Sequence, residues 1–364
     1  MENQKRSNHE NNHTFFLKLA FEQAKINLGS TKDNPSVGCV VVKDNSIISS
    51  GYTSINGRPH AEYNALNKKI DFKGADIYVT LEPCTHTGKT PPCTKIIKKK
   101  GIKKVYFPIM DYDNRSRGKA KKILSKAKIR FNDKLLKKYG LEFYKSYFLK
   151  HSKSIPYIDA KVAISKDYKT KRIIGKWITN IRSRKLAQFL RTKYDCIVST
   201  SKSINEDDSR LNCRIAGLEN KSPDVIIIDR KMKLKRNLSI FSQKKRKIII
   251  FTESNNFKKI NYFIKKSIKV IRLKSINDRF DFEILFRNLK KIGYSRIFFE
   301  CGITMLNFLL KNKFINNMYI FKSPKNLLKL GTNNSNPRLL RNIKLKSAIN
   351  VNLNGDNLYK IKLK

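Results

Sequence analysis

The stretch Thr80-Leu-Glu-Pro-Cys-Thr-His-Thr-Gly-Lys-Thr-Pro-Pro-Cys93, read together with His60-Ala-Glu62, decides how this chain folds and what chemistry it carries. A catalytic zinc takes three protein ligands and keeps its fourth tetrahedral position open to water. Zinc lowers the pKa of that water, and a glutamate that is not a ligand then carries protons. The two stretches therefore predict a Zn²⁺ site with the ligands His60, Cys84 and Cys93 and the catalytic proton carrier Glu62.

An ordinary apolar core is the competing interpretation, because buried cysteines behave as small hydrophobic residues. The segment 82–93, however, carries three prolines and a glycine, which is the composition of a rigid loop and not of a core strand. A His-x-Glu followed about twenty residues later by two Pro-Cys pairs is typical of zinc-dependent nucleobase deaminases. We therefore favour the zinc site.

The spacing of the cysteines distinguishes among the zinc-dependent deaminases. Eight residues separate Cys84 from Cys93, whereas two residues separate the cysteines in the general deaminase pattern. The run from Leu81 to Cys93 resembles the Leu-Glu-Pro-Cys-Ser-His-His-Gly-Arg-Thr-Pro-Pro-Cys of the bifunctional riboflavin biosynthesis proteins. That family joins a pyrimidine deaminase to a pyrimidine reductase. The family pattern is changed at Thr85, Thr87 and Lys89.

Residues 1–150 are predicted to form the zinc-dependent pyrimidine deaminase domain. Strands are expected at 39–42, 47–52, 77–81 and 105–109, and helices at 14–28, 60–68 and 93–99. Strands that alternate with helices indicate an α/β fold, and the resemblance implies a cytidine-deaminase-like α/β/α sandwich. Because His60 and Glu62 are only two residues apart, they can share a site only in the first turn of their helix.

Two loops of this domain depart from the family patterns. Asp33-Asn34-Pro35 resembles the family's Pro-Asn-Pro, with Asp33 in place of the first proline. Asn34 is either a plain turn residue or a substrate ligand, and the resemblance implies the second. The stretch 111–114 stands where the family has Asp-Pro-Asn-Pro, so we expect a less rigid loop there.

Residues 151–364 are predicted to form a second domain, after a connecting helix at 133–151. Its first strand, Pro156 to Ser165, resembles that of the family's reductase half, which implies a dihydrofolate-reductase-like α/β domain that uses NADPH. The expectation of NADPH comes from this resemblance, because the chain has no G-x-G-x-x-G fingerprint after a first strand. The family's usual residues are replaced at Tyr168, Gly175 and Ser209.

The resemblance also implies the ligand-binding residues of this second domain. The expected NADPH contacts are Ala163, Trp177, Ser203, Asp207, Gly302, Ile303, Thr304, Met305, Leu306, Asn307 and Phe308. The expected substrate contacts are Gly175, Arg191, Leu211, Arg214 and Glu300. An arginine fork suits a ribose phosphate. Without the resemblance, Trp177 would be a packing residue and either arginine one more solvated charge.

The chain carries 79 Lys and Arg against 28 Asp and Glu, a formal charge of +51. Such an excess is typical of nucleic-acid-binding proteins, and tRNA deaminases share the zinc motif. The basic residues are spread along the whole chain, so we favour a general residue bias and expect no nucleic-acid partner.

The cysteine count, the first residues and the lengths of the apolar runs indicate the cellular location of the protein. Six cysteines in 364 residues do not form a disulfide scaffold. No apolar run is long enough for a membrane helix, and residues 1–13 do not resemble a signal peptide. We therefore expect a cytoplasmic enzyme without a membrane partner, and a homo-oligomer is compatible with the sequence.

The resemblance implies two successive reactions. The first is hydrolytic deamination of 2,5-diamino-6-ribosylamino-4(3H)-pyrimidinone 5′-phosphate. The second is NADPH-dependent reduction of 5-amino-6-(5-phosphoribosylamino)uracil to the ribitylamino product. Two alternatives remain open at this stage, a deaminase with an inactive reductase domain and a tRNA or nucleobase deaminase.

Overall fold

The computed structural model describes residues 2–32, 34–88, 90–152, 155–242 and 246–364, and for 2–10, 150 and 151 it describes the backbone alone. Asp33 and Lys89, which occupy two of the substituted positions, lie outside the described residues, as do residues 153 and 154 beside the expected domain boundary. The chain divides into two compact units, Met1–Lys153 and Ser154–Lys364.

The first unit alternates strands and helices, as expected for an α/β fold. Its elements are α1 (Glu2–Lys25), β1 (Gly38–Lys43), β2 (Ser46–Tyr52), α2 (Ala61–Leu66), β3 (Asp76–Val79), α3 (Cys93–Lys99), β4 (Lys104–Tyr106), α4 (Lys119–Lys126), β5 (Arg130–Asn132), α5 (Lys137–Phe143) and α6 (Lys145–His151).

Within the described residues, the strands of the first unit form one five-stranded sheet in the order β2-β1-β3-β4-β5. β1 lies antiparallel to β2 and β3, whereas β3, β4 and β5 are parallel. The run Cys39–Val42 is buried throughout, because helices cover the sheet. Asp44 and Asn45 form the turn between β1 and β2, with φ of 49° and 60°, values that a two-residue hairpin turn requires.

Two glycines allow α1 and α2 to pack directly on the sheet. A Cβ at Gly38 would lie 1.9 Å from the carbonyl oxygen of Ala20, and one at Gly51 would lie 2.5 Å from that of Ala61. No side chain fits at such distances, so the helix backbones approach β1 and β2 closely. The contact at Gly51 sets the position of the amino end of α2, where His60 and Glu62 lie.

Two of the predicted helices have other limits than expected. The helix predicted over 14–28 begins at Glu2, because a helix can extend past its apolar stripe once it is nucleated. The single helix predicted over 133–151 is wrong, since α5 and α6 are separated at Tyr144. The Tyr144 ring is buried, and its hydroxyl lies 2.6 Å from Thr80 Oγ1 and 3.0 Å from the carbonyl oxygen of Ser36.

The second unit is also an α/β unit. Its elements are β6 (Tyr157–Ile164), β7 (Lys171–Arg172), α7 (Ile181–Arg191), β8 (Cys196–Thr200), α8 (Ser201–Asp207), β9 (Asp224–Ile228), β10 (Ile248–Thr252), α9 (Phe257–Lys265), β11 (Lys269–Arg272), α10 (Arg279–Ile292), β12 (Arg296–Glu300), α11 (Ile303–Lys311), β13 (Asn317–Lys322), β14 (Gly331–Thr332), α12 (Arg338–Arg341) and β15 (Asn357–Lys362).

Its main sheet has eight strands within the described residues, in the order β11-β10-β9-β8-β12-β6-β13-β15. Only β15 is antiparallel to its neighbour. The chain first builds outward from β8 to β11 and then returns to add β12 between β8 and β6. Ligands of such sheets bind at the carboxyl ends of the strands where the direction of winding reverses. The second site is therefore expected at the ends of β6, β8 and β12.

The turn after β6 has a tyrosine where the family has a glycine. Tyr168 takes that position with a φ of 63°, a left-handed conformation that glycine adopts more easily. Its N–H donates to the carbonyl oxygen of Ser165 at 3.1 Å, and Lys169 N donates to Ser165 Oγ at 2.9 Å. The Tyr168 ring packs against the core, so contacts of the side chain offset the backbone strain.

None of the helices in the described part of the chain is both long and apolar enough to cross a membrane. Each of the six cysteines is a free thiol. Cys39 and Cys196 are buried in strands, whereas Cys301 follows β12 and is only partly buried.

Candidate active sites

The first candidate site lies where two short helices begin. His60 is the N-cap residue of α2, and Glu62 lies in the first turn of that helix, so the predicted first-turn placement is confirmed. Pro92 is the N-cap residue of α3, and Cys93 is its first helical residue. Cys84 lies on the loop that follows β3. Three separate segments therefore bring the motif residues together.

The nitrogen and sulfur atoms of this site have the spacing of a zinc ligand set. His60 Nδ1 lies 3.6 Å from Cys84 Sγ and 3.4 Å from Cys93 Sγ. All three ligand atoms lie within 4.8 Å of one another. A tetrahedral zinc with bonds of about 2.0 to 2.3 Å separates its ligand atoms by about 3.5 to 3.8 Å. The one His and two Cys thus fit a zinc ion with no further protein ligand.

The two thiols share their protons unequally. A hydrogen bond from the Cys93 thiol, together with His60 and the Cys93 N–H, lowers the pKa of Cys84 to about 4. The same contact with Cys84 raises the pKa of Cys93. One thiolate is therefore already favoured before a metal adds its charge, and a bound dication deprotonates coordinating thiols outright.

Glu62 is buried, and only 3% of its surface is exposed. Burial raises the pKa of this carboxyl to about 7, against the opposing effect of His60. A carboxyl that gains and loses a proton near neutral pH is suited to proton transfer. Asn34, the predicted substrate ligand of this unit, lies beside Gly57, which precedes His60 by three residues.

Glu82, a residue of the motif to which the sequence assigned no role, anchors the loop after β4. Its Oε2 accepts hydrogen bonds from the N–H groups of Asp111 at 3.0 Å and Gly118 at 2.9 Å, and Oε1 accepts one from Ala120 at 3.1 Å. The Tyr147 hydroxyl donates to Asp111 Oδ1 at 2.9 Å. These bonds hold the loop at 111–120 without the family's prolines, so its expected loss of rigidity is offset.

The second candidate site lies at the carboxyl ends of β6, β8 and β12. Ser203 is in the first turn of α8, directly after β8, and its Oγ accepts a hydrogen bond from Gly302 N at 3.2 Å. Gly302 is the N-cap residue of α11. Ala163 lies near the end of β6, and Asp207 ends α8. The structure therefore brings four of the predicted NADPH residues to one edge of the sheet.

Glu300 and Arg191 form a buried ion pair at this edge. Arg191 Nε donates to Glu300 Oε1 at 2.6 Å, and Arg191 Nη2 donates to Glu300 Oε2 at 3.0 Å. Burial alone would raise the pKa of Glu300, but Arg191 and Lys161 hold it below its usual value. The carboxylate is therefore ionised, and its position is defined by a forked arginine.

Lys161 belongs to this site although the sequence did not single it out. Its Nζ lies 4.0 Å from Glu300 Oε2, inside the strand β6. Burial lowers the pKa of Lys161, and the Glu300 carboxylate opposes that shift. A lysine in the middle of the apolar strand 157–164 was the signal that could have revealed it, because a buried cation needs a partner.

Arg191 and Arg214 also meet on one loop. Arg191 Nη1 donates to the carbonyl oxygen of Asn212 at 2.7 Å, and Arg214 Nη1 donates to Asn212 Oδ1 at 2.8 Å. Leu211 lies just before Asn212, is 4% exposed and has a φ of 51°. The predicted substrate residues Arg191, Leu211, Arg214 and Glu300 are thus linked by direct contacts or by chain neighbours.

Trp177 does not pack in a core, so the packing alternative for this residue is wrong. Half of its surface is exposed, and the cationic groups of Lys176 and Arg184 lie 5.3 Å and 4.6 Å from its ring centre. Lys176 Nζ donates to the carbonyl oxygen of Asp207 at 2.9 Å, which ties the segment to α8. Gly175 precedes them with a φ of 82°.

The residues predicted along the start of α11 differ in what they can offer a ligand. The side chains of Ile303 and Leu306 are buried in the core, and the Phe308 ring lies 4.5 Å from the ring of Phe282. Ile303 and Leu306 can therefore contact a cofactor only through their backbone, whereas Phe308 is partly exposed. Asn307 Nδ2 donates to the carbonyl oxygen of Asn336 at 2.8 Å. The other predicted members of this run are Thr304 and Met305, of which Met305 packs partly against the same core.

Comparison with known proteins assigns both units. Residues 10–109 match the cytidine and deoxycytidylate deaminase zinc-binding region, and residues 156–348 match the RibD C-terminal domain. The riboflavin biosynthesis protein RibD of Aquifex aeolicus is 33% identical over 313 residues, which cover 85% of this chain and 86% of that protein. The RibD of Bacillus amyloliquefaciens is 31% identical, with 85% of this chain and 84% of that protein covered.

The chain belongs to the RibD family of riboflavin biosynthesis proteins. Solved structures agree: RibD of Acinetobacter baumannii superimposes with a TM-score of 0.81 and 26% identity, covering 97% of this chain and 99% of that one. A Thermotoga maritima structure, described as a diaminohydroxyphosphoribosylaminopyrimidine deaminase and 5-amino-6-(5-phosphoribosylamino)uracil reductase, has a TM-score of 0.80 at 26% identity, with the same coverage.

Membership of the RibD family confirms the two predicted fold classes, a deaminase-like α/β unit and a RibD-type reductase unit. The protein is a bifunctional deaminase and reductase of riboflavin biosynthesis, with a zinc-binding deaminase part. Its substrates are small molecules.

Proposed function

We propose that residues 1–150 deaminate 2,5-diamino-6-ribosylamino-4(3H)-pyrimidinone 5′-phosphate and that residues 151–364 reduce the product with NADPH. The spacing of His60, Cys84 and Cys93 carries the first assignment, because it fits a zinc ion with one open position. The Thermotoga relative, whose description contains both activities, supports the substrates. The buried cluster of Glu300, Arg191 and Lys161 supports the second assignment.

In the deaminase reaction, His60, Cys84 and Cys93 would hold zinc, which when bound makes water a nucleophile near neutral pH. Glu62 takes one proton from the attacking water and delivers it to the ring nitrogen. It then moves the second proton, from the hydroxyl now on the ring carbon, to the amino group that leaves as ammonia. Its burial favours this cycle, because the carboxyl is not committed to either protonation state. Asn34 orients the pyrimidine through its side-chain amide.

In the reductase reaction, NADPH supplies the hydride, and the protein supplies position and charge. Gly302 and the residues up to Phe308 offer the backbone at the start of α11 to the cofactor, next to Ser203. Ala163, Asp207 and the exposed Trp177 complete the cofactor contacts. Arg214 binds the substrate phosphate through its guanidinium, and Arg191, whose Nε and Nη2 are bonded to Glu300, adds its charge and its remaining Nη hydrogen atoms.

Glu300 accepts hydrogen bonds from the hydroxyl groups of the substrate ribose, and Lys161 balances its charge from β6. Lys161 also donates a proton to the ring oxygen of the sugar, whose bond to the carbon breaks as that carbon is reduced, because its ammonium has hydrogen atoms left over after the contact with Glu300. Leu211 and Gly175 shape the apolar part of the pocket around the base.

An assay of both products tests the proposal. The purified protein is supplied with zinc, NADPH and the diaminopyrimidinone phosphate, and ammonia and NADPH absorbance are followed separately. We expect ammonia release followed by NADPH oxidation. Ammonia without NADPH loss would leave a deaminase with an inactive second domain. If zinc is bound but the protein neither releases ammonia nor oxidises NADPH, the proposal is contradicted and a tRNA or nucleobase deaminase is favoured.

Cellular location and self-association are part of the same proposal. Six free thiols favour a reducing compartment, which supports the predicted cytoplasmic location. A homo-oligomer and the absence of a nucleic-acid partner stay predictions. Size-exclusion chromatography with light scattering, and salt-dependent binding to tRNA, measure them.

A further inference from the structure

The loop 208–214, which follows α8, has a backbone that needs support. Asp208 and Leu211 have φ values of 46° and 51°, which are uncommon for residues other than glycine. Such conformations persist only when surrounding contacts hold them. Because Leu211 and Arg214 are expected to touch the substrate, the shape of this loop bears directly on substrate binding.

Arg246, which lies two residues before β10, donates hydrogen bonds to the backbone of this loop. Its Nη1 donates to the carbonyl oxygen of Leu211 at 2.7 Å, and its Nη2 donates to the carbonyl oxygen of Arg210. Arg191 holds the same loop at the next residue, through the carbonyl oxygen of Asn212 at 2.7 Å. Two guanidinium groups, those of Arg246 and Arg191, therefore donate hydrogen bonds to three successive carbonyl groups of the strained backbone.

Arg246 forms no salt bridge among the described residues, the Asp224 carboxylate acts on its charge only through space, and its Nε is buried without a hydrogen bond there. Burial lowers the pKa of Arg246 to about 10, and the nearby cation of Arg191 adds to that effect. A partly buried cation of this kind is costly unless its hydrogen bonds are used. The planar fork of arginine can bond two successive carbonyl groups at once, which the single ammonium of lysine cannot do in the same geometry.

We propose that Arg246 is a positioning residue of the reductase. It fixes the carbonyl groups of Arg210 and Leu211 so that Leu211 and Arg214 are presented to the substrate, and it does not touch the substrate itself. This inference rests on the proposed reductase function. It predicts an effect on the KM for the pyrimidine substrate that leaves the cofactor and the chemical step unchanged.

The test measures NADPH oxidation with pre-deaminated substrate for wild type, Arg246→Met and Arg246→Lys. For Arg246→Met we expect a KM for the pyrimidine that rises on the order of 10-fold or more, with kcat and the KM for NADPH within about twofold. Arg246→Lys should fall between this variant and wild type. Arg236→Met is the matched control, because it removes the same charge at a position away from the loop. The Arg236 guanidinium lies 4.4 Å from the centre of the Tyr262 ring.

Ammonia release by the first unit reports that each variant is folded there, and thermal unfolding reports on the second unit. A wild-type KM for the pyrimidine in a folded Arg246→Met variant would overturn the inference. An equal rise in the KM for NADPH of that variant, or an equal rise in the pyrimidine KM of Arg236→Met, would also overturn it. If Arg246→Met does not fold, Arg246→Lys decides: a raised pyrimidine KM supports the inference, and a wild-type KM overturns it. A wild-type protein that oxidises no NADPH would overturn the proposed function and this inference with it.

Discussion

Glu62 and Glu300 are both buried carboxyl groups, and their surroundings give them opposite protonation preferences. Glu62 faces thiols and a histidine, and burial raises its pKa to about 7. Glu300 faces Arg191 and Lys161, and its pKa stays below the usual value. The first can therefore exchange protons near neutral pH, whereas the second is a fixed negative charge.

Substitution of Glu62 tests its role in proton transfer. Glu62→Gln keeps the size of the side chain but cannot carry the proton, so kcat for ammonia release should fall by about 10²- to 10⁴-fold. Zinc content, measured by atomic absorption, should match wild type because Glu62 is not a ligand. Glu22→Gln, on an exposed face of α1, is the control. Retained deamination in Glu62→Gln would contradict the assignment.

Substitution of Glu300 tests the second site in the same way. Glu300→Gln leaves two buried cations without their carboxylate, and kcat/KM for NADPH oxidation should fall by about 10- to 100-fold. Glu283→Gln removes a partly exposed charge from α10, where Glu283 pairs with Arg279 and Arg287, and should have no effect. Steady-state kinetics with pre-deaminated substrate measure both. Equal activity of the two variants would exclude Glu300 from the site.

At the scale of elements, close contacts between helices and sheet hold the zinc ligands in place. α2 has only six residues and packs on β2 at Gly51, where a Cβ would lie 2.5 Å from two backbone atoms, Ala61 O and Ala65 N. Backbone atoms cannot rotate away as a side chain does. The position of His60 therefore depends on the absence of a side chain in the neighbouring strand.

Gly51→Ala should displace α2 and loosen the metal site. We expect a loss of about 1–3 kcal/mol in the free energy of unfolding and weaker zinc binding, because small-to-large changes in a packed core strain the backbone. Ser50→Ala, the neighbouring position on the other face of β2, is the control. Denaturant unfolding and zinc titration measure the two effects. An unchanged zinc affinity would show that α2 tolerates the shift.

At the scale of the whole molecule, each unit has its own core and its own set of site residues. The first core is built around β1, β3 and β4, and the second unit has two clusters on its eight-stranded sheet. The zinc ligands all lie in the first unit, and Glu300, Arg191 and Lys161 all lie in the second. Damage to one site should therefore abolish one activity and leave the other unchanged.

Removal of zinc tests this separation. After treatment with a chelator and dialysis, ammonia release should be abolished, while NADPH oxidation with pre-deaminated substrate should stay close to wild type. Zinc added back should restore ammonia release. Loss of both activities on chelation, with the second restored by zinc, would show that the reductase also depends on the metal.

The sequence by itself was enough to predict the zinc ligands, Glu62 and the helix starts that carry them, because these residues lie within 34 positions of one another in a motif with few backbone solutions. Only the tertiary structure revealed the pairing of Arg191 with Glu300, which are 109 residues apart, and the roles of Lys161, Glu82 and Arg246. These contacts depend on which strands become neighbours and on which groups are buried together. Local sequence patterns do not encode either property, since the parallel order of the sheet is set by packing across the whole unit.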